Sequence, residues 1–227
     1  MAQDQELRTV GFFNLPRTIR DDIYRSALIA PHPLFLFQES PSRRVECFAP
    51  DKPVQWPALL LTSHQLHIEA REVFYGWNRF NLVDTTTERE AAVIQSYLTC
   101  IGSINASLLS HLCISFPAPV NTKEQPGKVI LGDDGLHSLQ LLQEKCTNLK
   151  TLEAYVHRGN SKYLVQASLD RSPFVREILS QVDGQLKAIP SLGKIVIRFY
   201  DGPPTPLVKE VMQGLGWTVF LGDKDNC

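Results

Sequence analysis

Residues 63–80 read SHQLHIEAREVFYGWNRF and concentrate side chains that carry chemistry in many proteins. His64 and His67 are three positions apart, which on a helix places both imidazoles on one face, close enough to share a metal ion. Glu69 and Arg71 follow directly, so a carboxylate and a guanidinium lie beside the imidazoles in the sequence. The segment has two interpretations, a reaction centre or an architectural element, and the rest of the chain bears on which is correct.

Residues 63–80 contain too few histidine or cysteine ligands for a metal site. Zinc needs three or four, and no third histidine or cysteine lies at a short fixed spacing. The other histidines are scattered along the chain: His32, His111, His137 and His157. The five cysteines form no CxxC pair, which argues against a disulfide framework or a zinc knuckle, and most of them are expected to be buried thiols. The sequence therefore predicts no metal and no cofactor.

Motifs for covalent catalysis and phosphate binding do not occur in the sequence either. There is no G-x-S-x-G elbow, and the 13 glycines form neither GxGxxG nor GxxxxGK[ST]. Asp133 and Asp134 resemble a pair of catalytic carboxylates, but a turn followed by a helix cap explains them more simply. We therefore assign no catalytic residue, and whether the chain is an enzyme stays open.

Two hypotheses remain for residues 63–80. In the first, Glu69 and Arg71 hold two helical segments together, for example by a pair between Glu69 and Arg20. Core packing then accounts for the aromatic residues Phe74, Tyr75 and Phe80. In the second, a small-molecule pocket lies between the two halves of the chain, with an imidazole or a carboxylate as general base. The candidate pocket residues are His64, His67, Glu69, Arg71, Tyr75 and Trp77.

The composition is that of an ordinary globular protein. Of the 227 residues, 43% are hydrophobic and 21% are charged, which argues against disorder. A net charge of -1 gives no basic field, so no nucleic-acid partner is expected. The first residues are acidic and no apolar run reaches the roughly 18 residues of a membrane span. We therefore expect an intracellular protein, cytoplasmic or nuclear, without membrane contact.

The first half of the chain alternates helical and strand patterns. Ile19 and Ile23 have helical spacing in a segment from about 16 to 29, with Pro16 in its first turn and Asn14 as its cap. PHPLFLFQES and RRVECFAPDKP predict a small β-ribbon, after which PALLLTSHQLHIEAREVFYGW restores helical spacing. NRFNLV then predicts a strand, and TEREAAVIQSYLTCIG predicts a short helix.

The second half contains an internal repeat. The segments LSHLCISF, LKTLEAYV and LGKIVIRF align at a spacing of about 40 residues. Each pairs a leucine with an apolar residue three positions later, namely Leu109 with Leu112, Leu149 with Leu152, and Leu192 with Ile195. A helical pattern precedes each later strand, which predicts parallel strands joined by crossover helices, with GWTVFLGD as the last strand. The polar loops that recur between the units are expected to form a binding edge.

These patterns predict an α/β protein with two regions. Residues 1–85 would form a helical region with a small β-ribbon. Residues 86–227 would form a short, curved, leucine-rich-repeat-like array of helix–strand units with parallel strands, on which the first region packs.

Two N-terminal blocks, LPRTIRDDIYRSAL and PALLLTSHQLHIEAREVFYGWNRFNL, resemble the fungal F-box-like proteins, a family with a pair of Glu-x-Arg signatures. In the first block the matching residues are Leu15, Pro16, Ile19, Arg20, Ile23 and Tyr24. In the second they are Leu60, Gln65, Glu69, Ala70, Phe74, Tyr75, Asn78 and Phe80. Thr18 stands where the first acid of the family is usual, whereas Glu69-Ala70-Arg71 supplies the second Glu-x-Arg pair.

The resemblance implies an F-box-like N-terminal half and a role in protein recognition without chemistry. F-box domains bind the Skp-type adaptor of cullin ubiquitin ligases through their first helices, and a downstream repeat region binds the client protein. On this chain the residues that contact the adaptor would be Leu15, Pro16, Ile19, Ile23 and Leu28. Whether this stripe is exposed or belongs to the core stays open, and a scaffold that binds neither partner is a third possibility.

Overall fold

The structure is a computed structural model, and it describes residues 11–38, 45–53, 56–83, 90–117, 119–121, 129–158, 160, 162–165 and 172–223. The helices are α1 (Arg17–Leu28), α2 (His64–Trp77), α3 (Glu90–Leu108), α4 (Asp133–Lys145), α5 (Lys162–Val165), α6 (Ser172–Lys187) and α7 (Pro206–Gly214). The strands are β1 (Leu34–Gln38), β2 (Val45–Phe48), β3 (Arg79–Asn81), β4 (His111–Ser115), β5 (Pro119–Asn121), β6 (Val129–Leu131), β7 (Thr151–Val156), β8 (Lys194–Phe199) and β9 (Thr218–Leu221). The chain is therefore a mixed α/β protein, as predicted.

Seven of the described strands form one sheet in the order β2-β1-β3-β4-β7-β8-β9, while β5 and β6 pair separately. Every neighbouring pair in the large sheet is parallel except β1 and β2, which form an antiparallel ribbon. From β1 to β9 each parallel strand is added on the same side of its predecessor, so right-handed crossovers place the connecting helices on one face. Consistent with a single helix layer, α1, α2, α3, α4, α6 and α7 contact one another in turn.

The strand register follows the internal repeat. Leu112 lies opposite Leu152, which lies opposite Ile195, so the three aligned residues form one row across the sheet. Phe80 and Leu34 extend this row through β3 and β1. Four of the five side chains are at most 1% exposed, and that of Ile195 packs against the core while remaining partly accessible. The predicted repeat is therefore confirmed, and its apolar positions form the core beneath the helices.

The predicted β-ribbon is also confirmed, but it is continuous with the large sheet. β1 pairs with β2 on one side and with β3 on the other, where Phe35 lies opposite Asn81. The hydrogen-bonding groups on the second edge of β1 would otherwise need another partner, and β3 supplies it. As a result, the sheet includes strands from both sides of the boundary predicted at residue 85.

Local signals explain most helix boundaries. α1 begins after Pro16, which is its N-cap rather than part of its first turn, and Asn14 instead ends a short 3-10 helix. Ser63 caps α2 by accepting a hydrogen bond from the Leu66 amide at 3.2 Å. α3 is longer than the predicted short helix and is broken at Gly102, where a φ of 78° requires a residue without a Cβ atom.

Three smaller expectations have mixed outcomes. Asp133 and Asp134 lie in the first turn of α4, directly after Gly132, and neither side chain caps the helix. Of the four cysteines in the described ranges, Cys113 and Cys146 are buried, whereas the other two are exposed. The expectation that most cysteines are buried is therefore met by only half of these. None of the helices in the described ranges has the length and apolar character required to cross a membrane.

Candidate functional site

A buried ion pair joins α1 to α2. Arg20 Nε donates to Glu69 Oε2 at 2.8 Å, and Arg20 Nη2 donates to Glu69 Oε1 at 2.7 Å. Arg20 and Glu69 are 9% and 6% exposed, and Arg20 Nη1 also donates to the Leu15 carbonyl at 2.5 Å. A two-point contact of this kind fixes the relative position of the two side chains. The predicted pair between Glu69 and Arg20 is therefore confirmed.

Further donors saturate the Glu69 carboxylate. Tyr24 Oη donates to Oε2 at 3.0 Å, and Gln65 Nε2 donates to Oε1 at 3.1 Å. The Arg20 hydrogen bonds lower the pKa of Glu69 to about 2, although burial acts to raise it. Burial and the hydrogen bond to Glu69 raise the pKa of Tyr24 to about 12. Four donors occupy the roughly four lone-pair positions of the carboxylate, which leaves none for a ligand and favours an architectural role.

Asn78 joins the C-terminal ends of α1 and α2. Its Nδ2 donates to the carbonyls of Leu28 and Phe74, both at 2.9 Å, and its Oδ1 accepts from the Ala30 amide at 2.8 Å. Phe74 packs edge-on against Phe80, with ring centroids 5.7 Å apart. These residues of the two N-terminal blocks hold α1, α2 and β3 together, and no ligand is needed to explain their spacing.

The remaining candidate pocket residues of α2 have separate environments. His64 is exposed, and Trp77 is 59% exposed below an arginine guanidinium of α1. His67 Nδ1 lies 2.9 Å from a backbone carbonyl of the preceding 3-10 helix, and Tyr75 is half-buried among core aromatic rings. Arg71 Nε is buried without a hydrogen-bond partner in the described part of the chain. The organising role predicted for Arg71 is therefore not observed.

The partner-binding stripe predicted on α1 is only partly exposed. Pro16 is exposed, Ile19 and Ile23 are 46% and 42% exposed, and Leu15 is partly buried. Leu28 is 1% exposed and packs in the core, so its assignment as a contact residue is wrong in this structure. The buried face of α1 is formed by Arg20, Tyr24 and Leu28. Leu28 belongs to that face because positions four apart on a helix share one side.

The face of the large sheet opposite the helix layer carries a different set of side chains. Alternate residues of a strand share a face, as do residues opposite each other in neighbouring strands. Arg79, Asn81, Cys113, Glu153 and Arg198 therefore lie on this side, which we call the open face. A cavity of about 940 Å³ lies over the open face, and four of the five residues, all except Cys113, line it. Their polar character contrasts with the apolar rows that face the helices.

Glu153 is the centre of a second buried ion pair, located on the open face. Its Oε2 accepts from Arg198 Nε at 2.5 Å, and its Oε1 lies 2.8 Å from His111 Nε2. Arg198 Nη1 also donates to the Gly222 carbonyl at 3.1 Å. Burial alone would raise the pKa of Glu153, but its hydrogen bonds with His111 and Arg198 lower it to about 2. This carboxylate is therefore ionised and forms part of the cavity wall.

A pair of polar side chains borders each end of the cavity. Near β1 and β2, His32 Nε2 lies 3.2 Å from Asp51 Oδ2. Beyond β9, Tyr200 Oη lies 2.6 Å from Asp223 Oδ1, to which it donates. The ring centroids of Tyr155 and Tyr200 are 5.1 Å apart. Burial raises the pKa of both tyrosines, so their hydroxyls are protonated donors at neutral pH.

Three potential metal ligands meet on the open face. The ligand atoms of His111, Cys113 and Glu153 lie within 4.8 Å of one another. However, the Arg198 guanidinium occupies one oxygen of Glu153 and places a positive charge beside any cation bound there. Burial, aided by the charge of Glu153, raises the pKa of Cys113 to about 12, whereas metals bind the thiolate. The chemistry of the group therefore fits an ion-pair network better than a cation site.

Sequence reasoning missed the open-face residues, although a signal was present. Glu153 and Arg198 are charged residues inside two of the aligned apolar segments, LEAYV and IVIRF. They follow the aligned residues Leu152 and Ile195 by one and by three positions. Both offsets are odd, so both charges lie on the face opposite the apolar row. Opposite charges on one face of adjacent strands predict an ion pair once strand order is known.

Comparisons with protein-family models, with curated proteins and with solved structures find no match to this chain. The resemblance to F-box-like proteins therefore stays a prediction that depends on the residues of the two N-terminal blocks.

Proposed function

We propose that this chain is a protein-recognition module, an F-box-like adaptor or substrate receptor of a cullin-type ubiquitin ligase. The observation that carries the recognition part is the cavity of about 940 Å³ on the open face. Parallel sheets are usually covered on both faces, so a cavity over the second face makes it available to another molecule. The client protein would bind there, on the side of the sheet away from the helices.

The adaptor part is supported by the exposed side of α1. Pro16, Ile19 and Ile23 are accessible on one side of the helix, while Arg20 and Glu69 fix α1 against α2 from the other side. A rigid helix with accessible isoleucines suits docking against the apolar surface of a Skp-type adaptor. The stripe is shorter than expected from the sequence because it does not include Leu28.

Co-purification of a Skp-type adaptor with the tagged chain tests the adaptor part. The variant Ile19→Asp/Ile23→Asp should reduce capture at least about tenfold, because it places charges in an apolar contact. The matched control is Ile104→Asp, which changes an isoleucine that is 60% exposed on α3 and should leave capture unchanged. Failure of the unaltered chain to capture the adaptor would remove the ligase role.

A small-molecule enzyme is the second candidate, and one observation favours it. His157 lines the cavity, and burial lowers the pKa of its imidazole, so the ring is neutral and able to accept a proton. Its ring also lies 3.3 Å from the Ser115 hydroxyl. If this candidate is correct, the purified chain should deplete a compound from a metabolite extract, and His157→Asn should abolish the depletion. An extract left unchanged by the unaltered chain would count against catalysis.

A further inference from the structure

We propose that the cavity on the open face binds an acidic, extended segment of the client protein. A carboxylate of that segment pairs with Arg79 and Asn81, and a neighbouring apolar side chain packs on the phenylalanines of the β1–β2 ribbon. This inference depends on the proposed recognition function and names the chemistry of its ligand.

Arg79 is a cation in the wall of the cavity. Among the described residues its guanidinium has no hydrogen bond or ion pair, although it is partly buried and lines the cavity. The acidic residues among the described lining of the cavity already have partners: Asp51 lies beside a histidine, Glu153 accepts from Arg198, and Asp223 accepts from a tyrosine. A guanidinium in a partly desolvated wall gains most from an anion that presents two oxygens to its planar donors.

Asn81 supplies a second donor beside Arg79. The side chain of Asn81 is only 7% exposed, lines the cavity and shares the open face with Arg79, two positions earlier on β3. Its Oδ1 accepts from the Val83 amide at 2.9 Å, which fixes the orientation of the carboxamide and makes Nδ2 the free end. Nδ2 has no hydrogen-bond partner in the described ranges. The two side chains together form a receptor for one anionic group.

An apolar patch adjoins this receptor. Phe35 lines the cavity and lies opposite Asn81 in the neighbouring strand, about 4.8 Å away along the hydrogen-bonding direction. Phe37 shares its face, and Phe48 lies opposite Phe35 in β2. The three rings are 40%, 46% and 52% exposed. Three adjacent exposed phenylalanines indicate a contact surface for an apolar group, so the ligand combines a carboxylate with a nearby apolar side chain.

The extent of the cavity favours a protein segment over a small molecule. Its walls run from Phe35 on β1 to Asp223 after β9, across six strands of the sheet. Five strand spacings correspond to roughly 24 Å, which is about the length of seven extended residues. A seven-residue segment that crosses the strands can place its acid over β3 and its apolar side chain over β1.

A peptide array tests the proposal with the full chain. The array holds seven-residue peptides with one Glu followed within two positions by Phe or Leu, and matched peptides in which Gln, Lys or phosphoserine replaces the Glu. We expect the Glu set to be bound at least about tenfold more strongly than the Gln and Lys sets. Equal binding of the Glu and Gln sets, or a preference for phosphoserine, would overturn the carboxylate assignment.

Charge reversal identifies the residue responsible. Arg79→Glu should switch the preference from the Glu set to the Lys set, and because Arg79 has no partner among the described residues, the variant should keep the melting temperature of the parent chain. Lys194→Met removes an exposed cation from the same register row, outside the cavity, and should leave the preference unchanged. A folded Arg79→Glu variant that still prefers Glu peptides would refute the proposal.

Adaptor capture in the same preparations separates this inference from the proposed function. If the adaptor is captured but the array shows no acidic preference, the inference fails while the adaptor role stands. If Glu peptides are bound through Arg79 but no adaptor is captured, the inference is supported and the ligase role fails.

Discussion

Two buried Glu–Arg pairs occupy very different places in this protein. Glu69 and Arg20 lie between two helices, where Tyr24 and Gln65 complete the hydrogen bonds of the carboxylate. Glu153 and Arg198 lie on the open face, where both line a large cavity. The chemistry of the two pairs is similar and both are buried, but the first is enclosed between two helices whereas the second lines a cavity. The first pair therefore holds α1 against α2, whereas the second forms part of the wall of the cavity.

The largest effect should follow from breaking the enclosed pair. Glu69→Gln leaves the Arg20 guanidinium buried without a countercharge, so the melting temperature should fall by roughly 6–20 °C. Thermal unfolding followed by circular dichroism measures this change. The double variant Arg20→Met/Glu69→Leu removes both charges and should recover much of the loss. A Glu69→Gln variant as stable as the parent chain would show that the enclosure is not important.

Breaking the open-face pair should cost less. Glu153→Gln should lower the free energy of unfolding by about 1–3 kcal/mol, because both residues line the cavity and water there can hydrate the Arg198 guanidinium. Urea unfolding at pH 7 provides the measurement, with Glu69→Gln as the reference variant. If Glu153→Gln is the more destabilising of the two, the contrast between enclosed and open pairs is wrong.

A smaller loss of stability should appear when the pH is lowered from 5 to 3. The carboxyls of Glu69 and Glu153 both have a folded-state pKa of about 2, below the ordinary value of 4.5. As the pH falls, the unfolded chain therefore binds protons at these two positions before the folded chain does. Their stabilising contribution is complete above about pH 5 and is lost as the pH falls toward 2. Urea midpoints measured at intervals should therefore fall less steeply in Glu69→Gln and in Glu153→Gln than in the parent chain. Parallel slopes in all three proteins would contradict the assigned pKa values.

The smallest effect should come from an exposed pair on the same helices. Arg17 Nη2 lies 2.8 Å from Glu72 Oε2, but the two side chains are 44% and 51% exposed. Glu72→Gln should therefore change the free energy of unfolding by about 0.5 kcal/mol or less. The Arg17–Glu72 pair links α1 and α2, as the buried Arg20–Glu69 pair does. Glu72→Gln therefore controls for the loss of a carboxylate on α2. A loss as large as that of Glu69→Gln would mean that burial does not set the difference.

Several features of the fold were predictable because local patterns encode them. The helix–strand repeat follows from leucine spacing, and the row of Leu112, Leu152 and Ile195 reproduces the alignment of the sequence segments. The Glu69–Arg20 pair was also predictable, because the two charges lie on two predicted helices and no metal-ligand or catalytic motif accounts for Glu69. Leu28 was misplaced because helical spacing alone does not say which of two neighbouring stripes faces the core.

Patterns in the chain were enough to predict the mixed α/β fold, the order of most of its elements, the contact between α1 and α2 at Glu69, and the apolar rows of the parallel strands. These depend on spacing within one element or between repeated elements, which the chain carries locally. Three features became known only from the folded arrangement: the β1–β2 ribbon extends the sheet, Glu153 and Arg198 meet, and Arg79 lines a cavity. The cavity walls come from residues 32–223, and which of them become neighbours depends on strand order and on the single-sided helix layer. Those are properties of the assembled sheet, because no local pattern specifies which face the helices leave open.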